Sequence, residues 1–401
     1  GNLYSVKWSP DGTWIASGAS DRSIRLWRPD GQPGPVLTGH PYVSSVSWKP
    51  DGCAFAAAVA DGTIRICDAE GVAETILTGH RRPVSDVNWS PDGKQIVSQG
   101  IDRTLRVWNV VEQTATAVFP AYEGSYERDP RGLSWSSRGD RIASAFHRGD
   151  YEIRLWSPDG TAGPVLKGHQ ASPYEVAWCP RGERLASVSQ DGTVRLWNPD
   201  GTTAGVFNVG QLLASVAWKP DGTQLASGCE DGTIQLWSPE GKPGVLLHGH
   251  TNRVTSIEWS SDGQRIATGS RDSAIRLWST DGEPLAALKG HTNTIKKVTW
   301  RPRTREILSA GEDGSIRLWD GETREPKWIL SILRDEQSVK FSAAGWRIAG
   351  DPNVFEQEFA YVIEEPSGAM EVVPPSEFER RLTSNASIQI PMNHTADRGG
   401  G

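Results

Sequence analysis

Four histidines in this 401-residue chain each precede a hydroxyl residue by 18 positions, with an aspartate and a tryptophan following at constant spacing. The sets are His80, Ser98, Asp102 and Trp108; His169, Ser187, Asp191 and Trp197; His250, Thr268, Asp272 and Trp278; and His291, Ser309, Asp313 and Trp319. Taken alone, each supplies a nucleophile, a base and an orienting acid, which is what acyl transfer requires. A catalytic centre, however, needs one geometry and an oxyanion site, and four copies in one chain argue against it. The alternative is a buried network in which Asp accepts from His, His contacts the hydroxyl, and the hydroxyl reaches the Trp N–H. Repetition favours the network, so no catalytic residue is assigned.

The elements that must hold these sets recur along the chain. GASDRSIRLW (18–27), AVADGTIRIC (58–67), QGIDRTLRVW (99–108), SVSQDGTVRLW (187–197), GCEDGTIQLW (228–237), GSRDSAIRLW (269–278) and AGEDGSIRLW (310–319) are copies of one segment, and FHRGDYEIRLW (146–156) is a longer variant. Their final Trp, or Cys67 in its place, follow one another at 40, 41, 48, 41, 40, 41 and 41 residues. A second landmark, such as VSSVSWKPDG (43–52) or VTSIEWSSDG (254–263), alternates apolar and polar residues and ends in a tight turn, which reads as a strand. Four strands of roughly six residues and four turns of roughly four fill a period of about 40, leaving no room for helices. Strands this short, apolar on both faces, must stack as sheets around an axis.

Gly-His before the unit, Ser-Pro-Asp-Gly in its first turn and Asp-x-x-[IVL]-[RQ]-[LIV]-Trp at the end of its third strand resemble the WD-repeat family over about residues 1 to 330. The nearly uniform units are similar to bacterial members. The PD-type repeat of TolB-like propellers shares Ser-Pro-Asp-Gly but lacks the Gly-His and the closing Trp. The resemblance implies an all-β propeller of four-stranded antiparallel blades and a structural role for the four His, Ser/Thr, Asp and Trp tetrads. The family's last Asp is mostly missing here: Trp is followed by Asp only at Trp319, and Cys67-Asp68 keeps the Asp without the Trp.

The expected units are about 1–39, 40–79, 80–119, 120–168, 169–210, 211–249, 250–290 and 291–332, with a degenerate ninth at 333–375. A single ring of eight or nine blades is preferred, and a seven-bladed ring plus part of a second, truncated ring is the alternative. In a nine-unit ring AMEVVPP (369–375) would supply the last outer strand. Residues 376–401 read as a short helix, opened by the Ser376 and Glu379 capping box, and a disordered tail.

A formal charge of −7 and a pI near 5.7 set the overall field against nucleic acid. Four dispersed cysteines show no metal or disulfide spacing, and no phosphate-binding loop or H-E-x-x-H is present, so neither cofactor nor metal is expected. Without a signal peptide or an apolar run of about 18 residues, a cytoplasmic chain with no membrane partner is expected.

In such a propeller, the face carrying the Gly-His and Asp turns would meet a protein or peptide partner. Three positions per unit point there: the residue before the tetrad Asp, and those four and six before the first-strand Trp. They supply Tyr4, Tyr42, Ile101, Arg131, Tyr174, Gln190, Leu212, Glu230, Arg253, Arg271, Lys296 and Glu312. Tyr and Arg are enriched in binding hot spots, and the basic members in the last two clear units would suit an acidic segment. Insertions in the fourth unit add Tyr122, Tyr126, His147 and Arg148 to the same face. The chain is thus expected to be a non-catalytic scaffold, the sensor part of a larger signalling protein with an effector fused before Gly1. An enzyme with its site in the propeller channel is the competing expectation.

Overall fold

The computed structural model describes residues 3–20, 23–37, 42–68, 74–120, 131–145, 151–332, 338–342, 347–349, 361–364 and 370–373. Each period folds as anticipated into one antiparallel sheet of four consecutive strands, and the seventh blade is representative. Val254–Trp259 lies innermost, followed outward by Arg265–Ser270, Ile275–Ser279 and Pro284–Leu288. The second strand is fully buried after its first residue, because both of its faces meet neighbouring blades. The outermost is exposed or half-buried along its length and buried only at Leu288.

Eight such sheets form one closed ring. Their innermost strands, Leu3–Trp8, Val43–Trp48, Val84–Trp89, Arg131–Trp135, Pro173–Trp178, Leu213–Trp218, Val254–Trp259 and Ile295–Trp300, touch in sequence, and the eighth returns to the first. The core is correspondingly divided into eight clusters, one at each junction between blades. At several junctions the first-strand Trp donates its indole N–H to the preceding blade: Trp48 to Lys7 O at 3.1 Å, Trp259 to Ala217 O at 3.1 Å, and Trp300 to Glu258 O at 3.2 Å.

The turn after each inner strand explains the Ser-Pro-Asp-Gly signature. In the first blade Gly12 N–H donates to Ser9 O at 2.9 Å with φ at +74°, a backbone state that favours glycine. Asp11 accepts from the Ser9 hydroxyl at 2.5 Å and from Thr13 N–H at 3.0 Å, closing the turn from inside.

The single ring is the preferred expectation, with eight blades and not nine. The eighth blade has its own outer strand, Pro326–Ile332, so AMEVVPP is not needed to seal the ring. The junction is apolar, with Leu3, Val6 and Trp8 packed with Leu308, Ile316 and Trp328, and Trp328 donates its indole N–H to Pro29 O at 3.0 Å. Among the described residues the eighth blade thus belongs to this one ring and not to a second, truncated one. Of the degenerate ninth unit, Ser338–Ser342 and Arg347–Ala349 add a fifth and a sixth strand to the eighth sheet, while Tyr361–Glu364 pairs with Met370–Val373. An added strand finds ready hydrogen bonds at that sheet edge, whereas a ninth blade would have to enter a ring already closed by Leu3 and Leu308. The helix and tail expected over 376–401 lie outside the described residues. Among the described residues no helix is long and apolar enough to cross a membrane.

Candidate functional site

The structure brings each of the four sets into one hydrogen-bonded chain. His250 Nδ1 lies 2.8 Å from Asp272, its Nε2 lies 2.8 Å from the Thr268 hydroxyl, and Trp278 Nε1 donates to that hydroxyl at 2.9 Å. The corresponding distances are 3.0, 2.8 and 2.8 Å around His80, 2.9, 2.8 and 2.9 Å around His169, and 2.8, 2.7 and 2.9 Å around His291. An indole can only donate, so the hydroxyl oxygen accepts from Trp and gives its own proton to Nε2, which leaves Nδ1–H to donate to Asp. The four hydroxyl residues are 0 % exposed, so no substrate can approach them as nucleophiles.

The aspartates also hold the turns. Asp272 accepts from Thr251 N–H at 2.9 Å and Ala274 N–H at 2.9 Å. Burial alone would raise its pKa, but the His250 bond and these backbone donors outweigh burial and hold it at about 2. Asp102, Asp191 and Asp313 are depressed by the same opposition of causes. Burial pushes the His291 imidazole below its ordinary value despite Asp313. The Trp–hydroxyl half of the network recurs in other units: Trp27 donates to Ser17 at 3.0 Å, Trp156 to Ser144 at 3.0 Å and Trp237 to Ser227 at 2.9 Å.

The candidate partner residues form a second constellation, around the mouth of the channel. Tyr4, Tyr174, Arg253, Arg271 and Lys296 all line one cavity of about 560 Å³. The Tyr42 ring lies 5.9 Å from that of Tyr4, and both rings are exposed. Arg253 sits over Tyr174 at 4.4 Å and pairs with Glu230 at 3.3 Å, which Arg271 also approaches at 3.6 Å. Gln190 donates to the Tyr174 hydroxyl at 3.1 Å, and Lys296 pairs with Glu312 at 2.5 Å. The basic residues are therefore not a bare patch, since each already faces a glutamate. Ile101 and Leu212 occupy the corresponding turn and strand positions, Leu212 exposed and Ile101 half-buried. Arg131 begins the fourth inner strand, its backbone alone being described. Tyr122, Tyr126, His147 and Arg148 lie outside the described residues.

Deeper in the same cavity lie charges the sequence reading passed over. Lys7, Asp86, Glu175 and Lys297 line it, and Glu258 shares their field. Glu175 accepts from Val216 N–H of the next blade at 2.8 Å, as Ser5 accepts from Val46 N–H at 3.2 Å in the first blade. Glu258 accepts from Trp300 N–H at 3.3 Å, as Ser47 accepts from Trp89 N–H at 3.3 Å. The acids thus replace a serine clip between blades. Burial raises the pKa of Asp86, Glu175 and Glu258, against the attraction of Lys297, and lowers that of Lys7. The missed signal was a charge three or one before the first-strand Trp, positions otherwise held by small or uncharged polar residues such as Ser, Ala and Thr. Among the described residues no group of three or more His, Cys, Asp or Glu is placed to hold a metal ion.

Comparisons with known proteins agree with this architecture. A family model described as WD domain, G-beta repeat, matches residues 1–28, 31–68, 71–109, 160–198, 209–238, 241–279 and 282–320, passing over the fourth unit with its insertions. No curated protein matches the chain. Among solved structures, the chain is similar to the computationally designed Ika8 protein, with a TM-score of 0.69 and 21% identity, covering 80% of this chain and 96% of that one. It is also similar to the C-terminal WD40 domain of Sif2, with a TM-score of 0.68 and 23% identity over 77% of this chain and 93% of that one. At these identities the likeness speaks for the fold alone. The family model covers more than half of the residues, and with its eight four-stranded blades and their tetrads the chain belongs to the WD-repeat β-propeller family.

Proposed function

We propose that this chain is a non-catalytic recognition module whose partner is a protein or peptide docked over the channel mouth, on the face of the Gly-His and Asp turns. Propellers of this family generally serve as protein-interaction scaffolds. The observation that carries the choice of face is a pair of linked groups, Tyr4 with Tyr42 and Tyr174 with Gln190, Arg253, Glu230 and Arg271, held on rigid strand ends around one cavity. Two guanidiniums share Glu230, so a partner carboxylate could take one of them without leaving Glu230 unpaired. The net charge of −7 disfavours a nucleic-acid partner. In this reading the propeller is the sensor part of a larger cytoplasmic signalling protein, an extension that rests on family analogy.

Quantitative affinity capture tests the face, with Tyr42→Ala combined with Arg271→Glu set against the parent. A partner held by the parent and lost by the variant, at unchanged melting temperature, supports the proposal. Equal capture by both would remove the assignment of this face.

A further inference from the structure

Seven charged side chains line the channel cavity, and two of them have no partner at contact distance. At the mouth Arg253 and Arg271 face Glu230, and Lys296 faces Glu312. Deeper, Asp86 accepts from the Ser45 hydroxyl at 2.8 Å and from Val87 N–H at 2.9 Å, and Glu175 accepts from Val216 N–H at 2.8 Å. Lys7 and Lys297 meet no acceptor among the described residues, so neither closes an ion pair with Asp86 or Glu175. They stand on the first and eighth blades, which adjoin, and each ammonium disfavours the other. The two acids stand across the channel. Lys297, Asp86 and Glu175 each lie three residues before the first-strand Trp of their blade, hence at one level, with Lys7 two residues further along its own strand. In a ring of eight, the third and fifth blades flank the fourth, which faces the eighth. At that level the fourth blade carries Gly132, so the wall between the carboxylates has no side chain there. Both donors to Asp86 reach Oδ1 and the donor to Glu175 reaches Oε2, which leaves one oxygen of each acid without a donor among the described residues.

We propose that the channel binds a small zwitterion of amino-acid type, its carboxylate held by Lys7 and Lys297 and its ammonium by Asp86 and Glu175 on the opposite wall. A ligand of one sign would satisfy one pole and be repelled by the other, since an anion also meets the two acids and a cation the two lysines. Two opposed pairs of unlike charge call for both charges on one molecule. The cavity, about 560 Å³, is of the size that takes a small ligand together with bridging water. Burial raises the pKa of both acids and lowers that of Lys7, so each gains from a counter-charge brought against it. Glu258, on the seventh blade, lies in the field of the same lysines but outside the lining, and it spends Oε1 on the Thr299 hydroxyl at 3.0 Å and Trp300 N–H at 3.3 Å. The site lies beneath the rim residues, so it needs no partner protein to be complete.

Isothermal titration calorimetry of the full chain with glycine, β-alanine and γ-aminobutyrate tests the assignment, with butyrate and n-butylamine as controls that carry one charge each. Saturable binding of at least one zwitterion is expected, about tenfold tighter than either control. Lys297→Met and Glu175→Gln should each weaken it about tenfold at unchanged melting temperature, whereas Lys297→Arg, which keeps the charge, should retain it. Failure of all the zwitterions to bind would overturn the proposal. So would butyrate or butylamine binding as tightly as the best zwitterion, which would mark a site for a single charge, or equal binding by the parent, Lys297→Met and Glu175→Gln.

Discussion

The tetrads and the channel both bury acids, yet they do so to opposite effect. Asp272 gains more from His250, Thr251 N–H and Ala274 N–H than burial takes away, so its ionised form is the one the fold prefers. Glu175 in the channel wall has one backbone donor, Val216 N–H, and feels Lys297 only through the field, so burial prevails and raises its pKa, which makes its ionised form costly to the fold. The difference lies in donor count and closeness together with the heavier burial of the Glu175 carboxylate. An acid surrounded by donors is a structural tie, and one buried in the channel wall with a single donor is a costly clip.

The largest expected effect that separates the two is loss of a tetrad indole. Trp278→Ala should lower unfolding stability by about 3–5 kcal/mol in denaturant titrations, because it removes a core ring and orphans the Thr268 and His250 bonds. Next, Asp272→Asn should cost about 2 kcal/mol, since an amide cannot match the carboxylate as acceptor for three donors. Glu175→Gln should leave stability at pH 7 equal or slightly higher, because the amide oxygen still serves Val216 N–H and the buried charge is gone. A loss with Glu175→Gln as large as with Asp272→Asn would erase the distinction.

Acid titration sharpens it further. Asp272 lies below its ordinary 3.8, so its contribution is complete above pH about 4 and falls away as pH drops toward about 2. Glu175 lies above its ordinary 4.5, so its ionisation opposes folding at neutral pH, and that opposition disappears as pH falls through the raised pKa. Urea midpoints between pH 7 and 2.5 should therefore show a steep loss below pH 4 that Asp272→Asn flattens. Glu175→Gln should alter only the limb above about 4.5.

The smallest effect belongs to the sixth blade. Asp231→Asn should change the thermal midpoint by no more than about 0.5 kcal/mol equivalent, because this carboxylate is exposed and holds only its own turn. A cost matching that of Asp272→Asn would mean that the imidazole is not what makes a tetrad aspartate matter.

Much of this was legible in the chain. A period near 40, alternation before each Trp and Pro-Asp-Gly turns leave few options besides stacked four-stranded sheets, because local turn chemistry and strand length are written in consecutive residues. The tetrads were legible for the same reason, each spanning one period. The ionic partners of Arg253, Arg271 and Lys296 were not, since the glutamates that meet them come from rim turns whose approach depends on the ring. Nor was the fate of the sixth blade's histidine position, because Val209, which stands there, packs into a core formed only where the fifth and sixth blades meet.

The sequence by itself determined the strands, their turns, the blade as a unit and the four networks, all contacts of short sequence separation. Only the tertiary structure decided how many blades close the ring, with Leu3 meeting Leu308 and Trp328 reaching Pro29 across almost the whole described chain. It alone turned Lys7, Asp86, Glu175 and Lys297 toward one cavity. Ring size follows from the summed angles of eight packed junctions, and the convergence of charge follows from ring size, so neither quantity resides in any single repeat.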